Sequence, residues 1–309
     1  MGEKVGRGGI VHRGGAIMTM NRRALLKGLG AVGVATATGG RAAVARSRRP
    51  VAEDAVGMLY DATRCIGCKT CMVACRRANH LPYEKPGHPW DDPVDLSGRT
   101  KTVIQRYRGR EGQSYMKRQC LHCLDPACVS VCMIGAMHKS EGGIVAYDPD
   151  RCIGCRYCQV ACPFNVPRFQ WDSPTPKIVK CEMCRHLLAR GRLPACCEVC
   201  PTGAVQFGKR KALLAEAKRR IARHPDRYVH KIYGESDAGG TQVLYLSSVP
   251  FEKLGLPHLG TESVPRLSET VQHGIYKGFI VPAALYVLIG AAVRRHHRQR
   301  SVDERKEET

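Results

Sequence analysis

The residues of this chain most able to do chemistry are its cysteines. The sequence has 309 residues and 17 cysteines. Sixteen of these cysteines form four groups of four, which are Cys65, Cys68, Cys71 and Cys75; Cys120, Cys123, Cys128 and Cys132; Cys152, Cys155, Cys158 and Cys162; and Cys181, Cys184, Cys196 and Cys200. A tight loop with such spacing can present three thiolates to three corners of an iron–sulfur cubane, while a fourth reaches a second cluster. The pattern therefore predicts iron–sulfur chemistry.

Two other uses of cysteine compete with that interpretation. A zinc site normally takes two C-x2-C pairs separated by a longer loop, and four cysteines within eleven positions fit it poorly. A disulfide framework is typical of small exported proteins. Groups one and three instead have the spacing C-x2-C-x2-C-x3-C, and Pro163 follows group three. This is the run found in bacterial ferredoxins, so we favour clusters.

The chain repeats itself around these groups. The pentapeptide RCIGC occurs at Arg64–Cys68 and again at Arg151–Cys155, and groups two and four end alike, in CVSVCMIGA and CCEVCPTGA. The sequence therefore predicts two copies of a two-cluster ferredoxin unit. Exchange of the fourth cysteine could pair group one with two and three with four, or two with three and one with four. Groups two and three together read as a complete ferredoxin, so we favour an inner unit nested inside an outer one.

The beginning of the sequence resembles an export signal. Arg22 and Arg23 precede a weakly apolar run of small residues, and Ala43–Ala45 offers a small-x-small cleavage site. This pattern is typical of a twin-arginine signal, against the alternative of a basic start to an ordinary helix. The twin-arginine route carries proteins already folded around a cofactor, which favours clusters over disulfides.

A second apolar segment lies near the other end. Gly278–Val293 is uncharged, and with Ile275, Tyr276 and a snorkelling Lys277 the stretch 275–293 could span a bilayer. The basic residues Arg294–Arg300 follow, and such a flank favours the cytoplasmic side. The alternative is a buried helix of a soluble protein. We expect a single C-terminal transmembrane helix that anchors an exported body to the periplasmic side of the cytoplasmic membrane.

The positive charge does not require a nucleic-acid partner. The net charge is +22, and it falls to +16 without residues 1–45. Four ligated clusters would add about −8 more, since each carries about −2 with its thiolates. The remaining charge fits a protein partner or membrane lipid, and we expect no nucleic acid.

Several motifs carry a resemblance to a known family. GMLYDATRCIGCKTC, KRQCLHCLDPACVSVC, GCRYCQVACPFNVP, CEVCPTGAV, GGTQVLYLSSVP and YKGFIVP extend from about residue 57 to residue 293. They resemble the iron–sulfur electron-transfer subunits of respiratory formate dehydrogenases, dimethyl-sulfoxide reductase relatives and membrane hydrogenases. The likeness is greatest to the HybA-type subunit of periplasmic uptake [NiFe] hydrogenases. A twin-arginine signal on this subunit fits the hydrogenase branch better than the formate branch.

The resemblance implies four [4Fe–4S] clusters and the nested pairing. The implied ligand sets are Cys65, Cys68, Cys71 and Cys200; Cys181, Cys184, Cys196 and Cys75; Cys120, Cys123, Cys128 and Cys162; and Cys152, Cys155, Cys158 and Cys132. Two positions depart from the family pattern. Met133 replaces a proline after group two, and Cys197 is an additional cysteine beside Cys196. We expect Cys197 to be a small buried hydrophobe rather than a spare ligand or a redox-sensitive thiol.

Other segments are less specific. His122 could tune a cluster by donating to a sulfur, although ordinary packing or a surface position is favoured. Lys209–His224 predicts an amphipathic helix docked on the ferredoxin body rather than on lipid. The sequence predicts an irregular surface insertion at Leu81–Gly98 and a strand at Thr241–Val249.

The fold class expected is therefore α+β, with two nested ferredoxin-like two-cluster units and a C-terminal transmembrane helix. The domains expected are a signal region (1–45), a first ferredoxin module with an insertion (57–118), an inner two-cluster unit (119–170), a fourth cluster module (171–208), a helix–strand extension (209–272), a transmembrane helix (275–293) and a cytoplasmic tail (294–309).

The sequence carries no recognisable catalytic constellation, and the expected function is electron transfer. The expected partners are the small and large subunits of a hydrogenase and an integral membrane quinone-reactive subunit. One alternative attaches the same relay to a formate dehydrogenase or another molybdenum or tungsten enzyme. Two others are a zinc-rich basic binding protein and a self-contained reductase that acts at an exposed cluster.

Overall fold

The structure is a computed structural model that describes residues 51–82 and 95–307. Within those ranges the structure has nine strands, which are β1 (Val56–Asp61), β2 (Val103–Gly109), β3 (Gly112–Arg118), β4 (Met137–Lys139), β5 (Val145–Tyr147), β6 (Arg168–Phe169), β7 (Ile178–Val179), β8 (Val205–Lys209) and β9 (Val243–Leu246). The helices there are α1 (Thr70–Ala78), α2 (Ala127–Ser130), α3 (Tyr157–Ala161), α4 (Arg185–Leu188), α5 (Ala195–Glu198), α6 (Arg210–Arg223) and α7 (Arg266–Glu307). Three short 3-10 turns complete the set, at Glu141–Gly143, Pro225–Arg227 and Asp237–Gly239.

A three-stranded sheet organises the core, with β1 between its two partners. β1 pairs antiparallel with β8 and parallel with β9. Successive side chains of a strand point to opposite faces, and both faces of β1 are covered. Met58 and Tyr60 enter the largest hydrophobic cluster, while Leu59 enters a second cluster on the other face. This double burial explains why Met58–Tyr60 is a continuous apolar run instead of an alternating pattern.

Helix α6 covers the second face of that sheet. Its apolar side chains recur at the helical spacing, with Leu213 and Ala217 buried and Ile221 packed beside them. The helix ends at Arg223, and Pro225 follows closely, where a helix cannot readily continue. The amphipathic helix predicted at Lys209–His224 is therefore confirmed, as is its docking on the body.

The remaining strands form three two-stranded antiparallel sheets. β2 and β3 pair over their full lengths as a hairpin, β4 pairs with β5, and β6 pairs with β7. The strand predicted at Thr241–Val249 is present as the shorter β9, because the backbone N–H of Gln242 bonds to Leu121 and His122 carbonyls and not to a sheet partner. The mixture of short helices and mainly antiparallel pairs agrees with the α+β expectation.

The third cysteine of every group lies in a short helix. These cysteines are Cys71 in α1, Cys128 in α2, Cys158 in α3 and Cys196 in α5. The fourth cysteine of each group lies four residues further along, which is about one helical turn. One local geometry therefore recurs four times and moves the fourth thiol away from the first two.

Helix α7 contains the segment predicted to cross a membrane. It extends from Arg266 to Glu307, and Pro282 lies inside it. The apolar side chains of Phe279, Val287 and Leu288 are exposed. Within the part of the chain that the structure describes, no helix combines the length and hydropathy that a membrane crossing requires.

Two other predictions fall outside the described ranges. The signal region, residues 1–45, lies before residue 51, where the description begins. Most of the insertion predicted at Leu81–Gly98, residues 83–94, lies in the internal gap.

Candidate metal-cluster sites

The thiols of this chain are available for metal ligation. All 17 cysteines fall within the described residues, and every one is a free thiol. The alternative of a disulfide framework is therefore not realised in this fold.

Four thiols from two different groups line one cavity. Cys152, Cys155 and Cys158 come from the loop before α3 and from α3 itself, and Cys132 comes from the turn after α2. The backbone N–H of Met137 donates to Cys132 Sγ at 3.3 Å. This cavity thus joins three cysteines of group three to the fourth cysteine of group two.

A second cavity repeats this arrangement for the other two groups. Its thiols are Cys181, Cys184 and Cys196 from group four, and Cys75 from the end of group one. The side-chain amide of Asn79 lies 3.7 Å from Cys75 Sγ and 3.8 Å from Cys184 Sγ, so it links the two groups across the cavity. Cysteines more than 100 positions apart in sequence meet here.

Cys200 and Cys162, the fourth cysteines of groups four and three, also lie near cysteines of another group. Burial raises the pKa of Cys65, and the neighbouring Cys200 thiolate adds to that rise. Burial likewise raises the pKa of Cys123, with further contributions from Cys120 and Cys162. These interactions place Cys200 beside group one and Cys162 beside group two.

The RCIGC loops need glycine at one position. Gly67 and Gly154 have φ of +71° and +73°, in the left-handed region that side chains rarely occupy. Lys69 and Arg156 also have positive φ, so the two loops share one backbone conformation. A Cβ on Gly67 would lie 2.2 Å from the ring of Tyr115, whereas one on Gly154 would keep 3.7 Å from Phe169. Residue 67 thus requires glycine for two reasons, its positive φ and the close approach of the Tyr115 ring.

These residues fit a cluster of several atoms. Among the described residues, no group of three or more His, Cys, Asp or Glu could hold a single metal ion. Two cavities nevertheless carry four thiols each, and sulfur is the ligand that iron–sulfur clusters take. The donor set suits an iron–sulfur cubane.

Comparison with known proteins agrees with this geometry. A family model described as "4Fe-4S dicluster domain" matches residues 57–133, and another with the same description matches residues 112–210. The "Hydrogenase-2 operon protein HybA" of Escherichia coli O157:H7 is 40% identical over 90% of this chain and 96% of its own length. The chain belongs to the HybA family.

Other relatives share much of the same region. A protein of Nitratidesulfovibrio vulgaris is 45% identical over 80% of this chain and 70% of its own length. The "Formate dehydrogenase, nitrate-inducible, iron-sulfur subunit" of Escherichia coli K12 is 36% identical over 74% of this chain and 79% of its own length. This HybA-type chain is an iron–sulfur electron-transfer subunit, and its two dicluster domains carry four [4Fe–4S] clusters.

Burial holds the thiols of Cys71, Cys158 and Cys181 protonated until a metal displaces the proton. Burial raises the pKa of Cys71 and of Cys158 to about 11, and that of Cys181 to about 12. Metal ligation requires the thiolate, so binding releases these protons. Because burial raises the thiol pKa values, cluster binding at these sites depends on pH.

Cys196 and Cys197 form a directly interacting pair. A hydrogen bond from the Cys197 thiol lowers the pKa of Cys196 to about 6, against the effect of burial, and the same bond raises the pKa of Cys197. Cys196 lines the second cavity and Cys197 does not. Cys197 is half-buried and donates to its neighbour, whereas the prediction favoured a buried small hydrophobe over a spare ligand or a redox-sensitive thiol.

His122 is fully buried between two cysteines of group two. The backbone N–H of Val145 donates to its Nδ1 at 3.0 Å, so the ring hydrogen is on Nε2. Burial, with Lys180 and Lys139 nearby, lowers the pKa of His122 and keeps it neutral. In the described part of the chain Nε2 has no hydrogen-bond partner. The surface position is therefore wrong, and a buried donor beside Cys123 is a group that a cluster sulfur could satisfy.

Proposed function

We propose that this HybA-type chain relays single electrons between a periplasmic [NiFe] hydrogenase and an integral membrane quinone-reactive subunit. The observation that carries the proposal is the pair of cavities in which three thiols of one group meet one thiol of another. Reciprocal ligation of this kind holds clusters in close pairs, and electron transfer along a chain requires closely spaced centres.

The same geometry supports an assignment of the ligand sets. We assign Cys65, Cys68, Cys71 and Cys200 to one outer cluster; Cys75, Cys181, Cys184 and Cys196 to the other; Cys120, Cys123, Cys128 and Cys162 to one inner cluster; and Cys132, Cys152, Cys155 and Cys158 to the other. The two cavities support the sets that contain Cys75 and Cys132. Interactions among buried thiols support the sets that contain Cys200 and Cys162. All four sets agree with a nested inner and outer unit.

The relatives support a hydrogenase as the catalytic partner. Identity to the "Hydrogenase-2 operon protein HybA" extends over 96% of that protein. Identity to the formate dehydrogenase subunit is lower and covers 79% of it. A formate dehydrogenase, or another molybdenum or tungsten enzyme, is the second candidate because that relative shares the cluster-binding region.

Location is part of the proposal. The twin-arginine pattern at Arg22 and Arg23 supports export to the periplasm. The uncharged run Gly278–Val293, the exposed apolar side chains of α7 and the basic residues after it support a single anchor with a cytoplasmic tail. A protein surface rarely leaves such a row of apolar side chains in water.

Metal analysis of the intact complex tests the choice of partner. The full chain with a C-terminal tag would be purified with its partners from detergent-solubilised membranes. We expect nickel together with about 16 irons from this subunit, in addition to the partner's own iron. Molybdenum or tungsten without nickel would assign the relay to the second candidate. Zinc in place of iron would overturn the electron-transfer function altogether.

Fractionation tests the location. We expect the full chain to stay with the membrane in alkaline carbonate, and a chain that ends at residue 265 to be released. Replacing Arg22 and Arg23 by lysine should leave the protein in the cytoplasm. Release of the full chain by carbonate would contradict the anchor, and periplasmic protein from the lysine variant would contradict the signal.

A further inference from the structure

Lys117 is a buried cation at the outer cluster sites. It is the next-to-last residue of β3, and its side chain has no exposed surface. Its ammonium donates to Thr102 Oγ1 at 2.6 Å and to Gln119 Oε1. Both acceptors are neutral, and an ammonium has three hydrogens to donate. One hydrogen therefore remains for a further acceptor.

The described residues supply no carboxylate to balance this charge. In the ranges 51–82 and 95–307, no Asp or Glu lies within ion-pair distance of Lys117. The one carboxylate that lines the same cavity, Glu182, is paired with Lys101 at 3.4 Å and with Arg185 at 3.2 Å. An unbalanced cation in a protein interior is costly, so a persistent one needs a negative partner.

The cysteines around Lys117 identify that partner. Lys117 lines the second cavity together with Cys75, Cys181 and Cys196. Burial alone would lower its pKa, but the thiolates of Cys196, Cys71 and their neighbours outweigh burial and raise it. Cys71 belongs to the other outer set, so the charge of Lys117 acts on both outer sites.

We propose that Lys117 is a built-in counter-charge that raises the reduction potentials of the two outer clusters. This inference rests on the proposed four-cluster function. Lys117 stabilises the reduced state because that state carries one more negative charge. The electron is supplied by a neighbouring cluster, no bond forms or breaks, and the ammonium keeps its proton. Lys117 thus acts on the clusters through its charge and is not a ligand.

Redox titration of the cluster-loaded full chain, followed by electron paramagnetic resonance, tests the inference. Lys117→Met removes the charge, and Lys117→Gln removes the charge but keeps hydrogen-bonding capacity. Lys253→Met is the control, because Lys253 is half exposed and pairs with Glu111 on the hairpin turn. Cys75→Ser would identify the signal of one outer cluster.

We expect both Lys117 variants to lower the equilibrium constant for reduction of the outer clusters about tenfold, which is about 59 mV for a one-electron couple. The inner clusters and the Lys253 control should keep their wild-type potentials. Unchanged potentials in a fully loaded variant, or an equal change at all four clusters, would overturn the inference. Loss of the outer clusters from both variants would also overturn it, because Lys117 would then be needed to hold the clusters. Wild-type protein without iron would instead refute the proposed function.

Discussion

Replacing Arg220 by methionine should destabilise the part of the fold that carries group one. Arg220 Nη1 lies 2.9 Å from Asp61 Oδ2, and the Asp61 side chain has no exposed surface. Asp61 ends β1, and its other carboxylate oxygen accepts from the backbone N–H and hydroxyl of Thr63 at 3.0 Å and 2.6 Å. Asp61 therefore fixes the turn that leads directly into Cys65.

The expected loss follows from what Asp61 retains. Removing one partner of a buried ion pair typically costs about 3–5 kcal/mol, because the other charge is left buried. Asp61 keeps its bonds from Thr63 and from the Tyr228 hydroxyl, and Arg64 Nε lies 3.8 Å from Oδ2, so we expect the lower limit, about 3 kcal/mol. If half of this loss speeds unfolding, the unfolding rate rises about tenfold.

Arg219 provides a matched control on the same helix. Its pair with Glu216 lies at 2.5 Å, but the Arg219 side chain is 66% exposed. Such pairs contribute about 0.5 kcal/mol or less, so Arg219→Met should change the unfolding rate less than about twofold.

The assay is the bleaching rate of the cluster-loaded protein in guanidinium under anaerobic conditions. A rate is measured because cluster loss makes unfolding irreversible. Equal bleaching rates for the Arg220 and Arg219 variants would refute the argument from burial.

Three further predictions concern the cluster sites. Cys75→Ser should remove or alter the cluster of group four and leave the cluster of Cys65 in place. Metal analysis should then show a loss of up to about four irons. Loss of the group-one signal instead would contradict the nested pairing. Cys197→Ala should keep all four clusters, and a missing cluster would make Cys197 a ligand. Gly67→Ala should lower the iron content more than Gly154→Ala. Both variants strain the backbone, but alanine at residue 67 also clashes with the Tyr115 ring. Equal iron content in the two variants would contradict the role given to the Tyr115 contact.

Local sequence patterns predicted much of this structure. Helix α6 was predictable because Leu213, Ala217 and Ile221 recur at the spacing of one helix face. The cysteine loops were predictable because ligand spacing and a left-handed glycine are both local requirements, and Gly67 and Gly154 meet them alike. The fourth cysteines were harder, since spacing alone left two pairings open.

Other features depend on residues that meet only in the folded chain. Lys117 lies in a polar stretch and reads as a surface residue, yet the cavity formed by groups one and four encloses it. The partners of β1 were also beyond a local pattern, since a buried strand does not specify which strands flank it. The place of His122 between two cysteines was visible in the sequence, but its burial and ring tautomer depend on Val145 of a separate hairpin.

The central sheet has a consequence for the order in which the protein is made. β1 pairs with β8, more than 140 positions later in the chain, and with β9 beyond that. A chain emerges from the ribosome amino end first, and contacts of long sequence separation close late. Residues 119–170 contain all eight cysteines of the inner unit and can gather them early. With the proposed ligand sets, the first cysteines of the outer unit lack their partners until the polypeptide up to Cys200 has been synthesised. The two outer clusters can therefore be completed only late in synthesis.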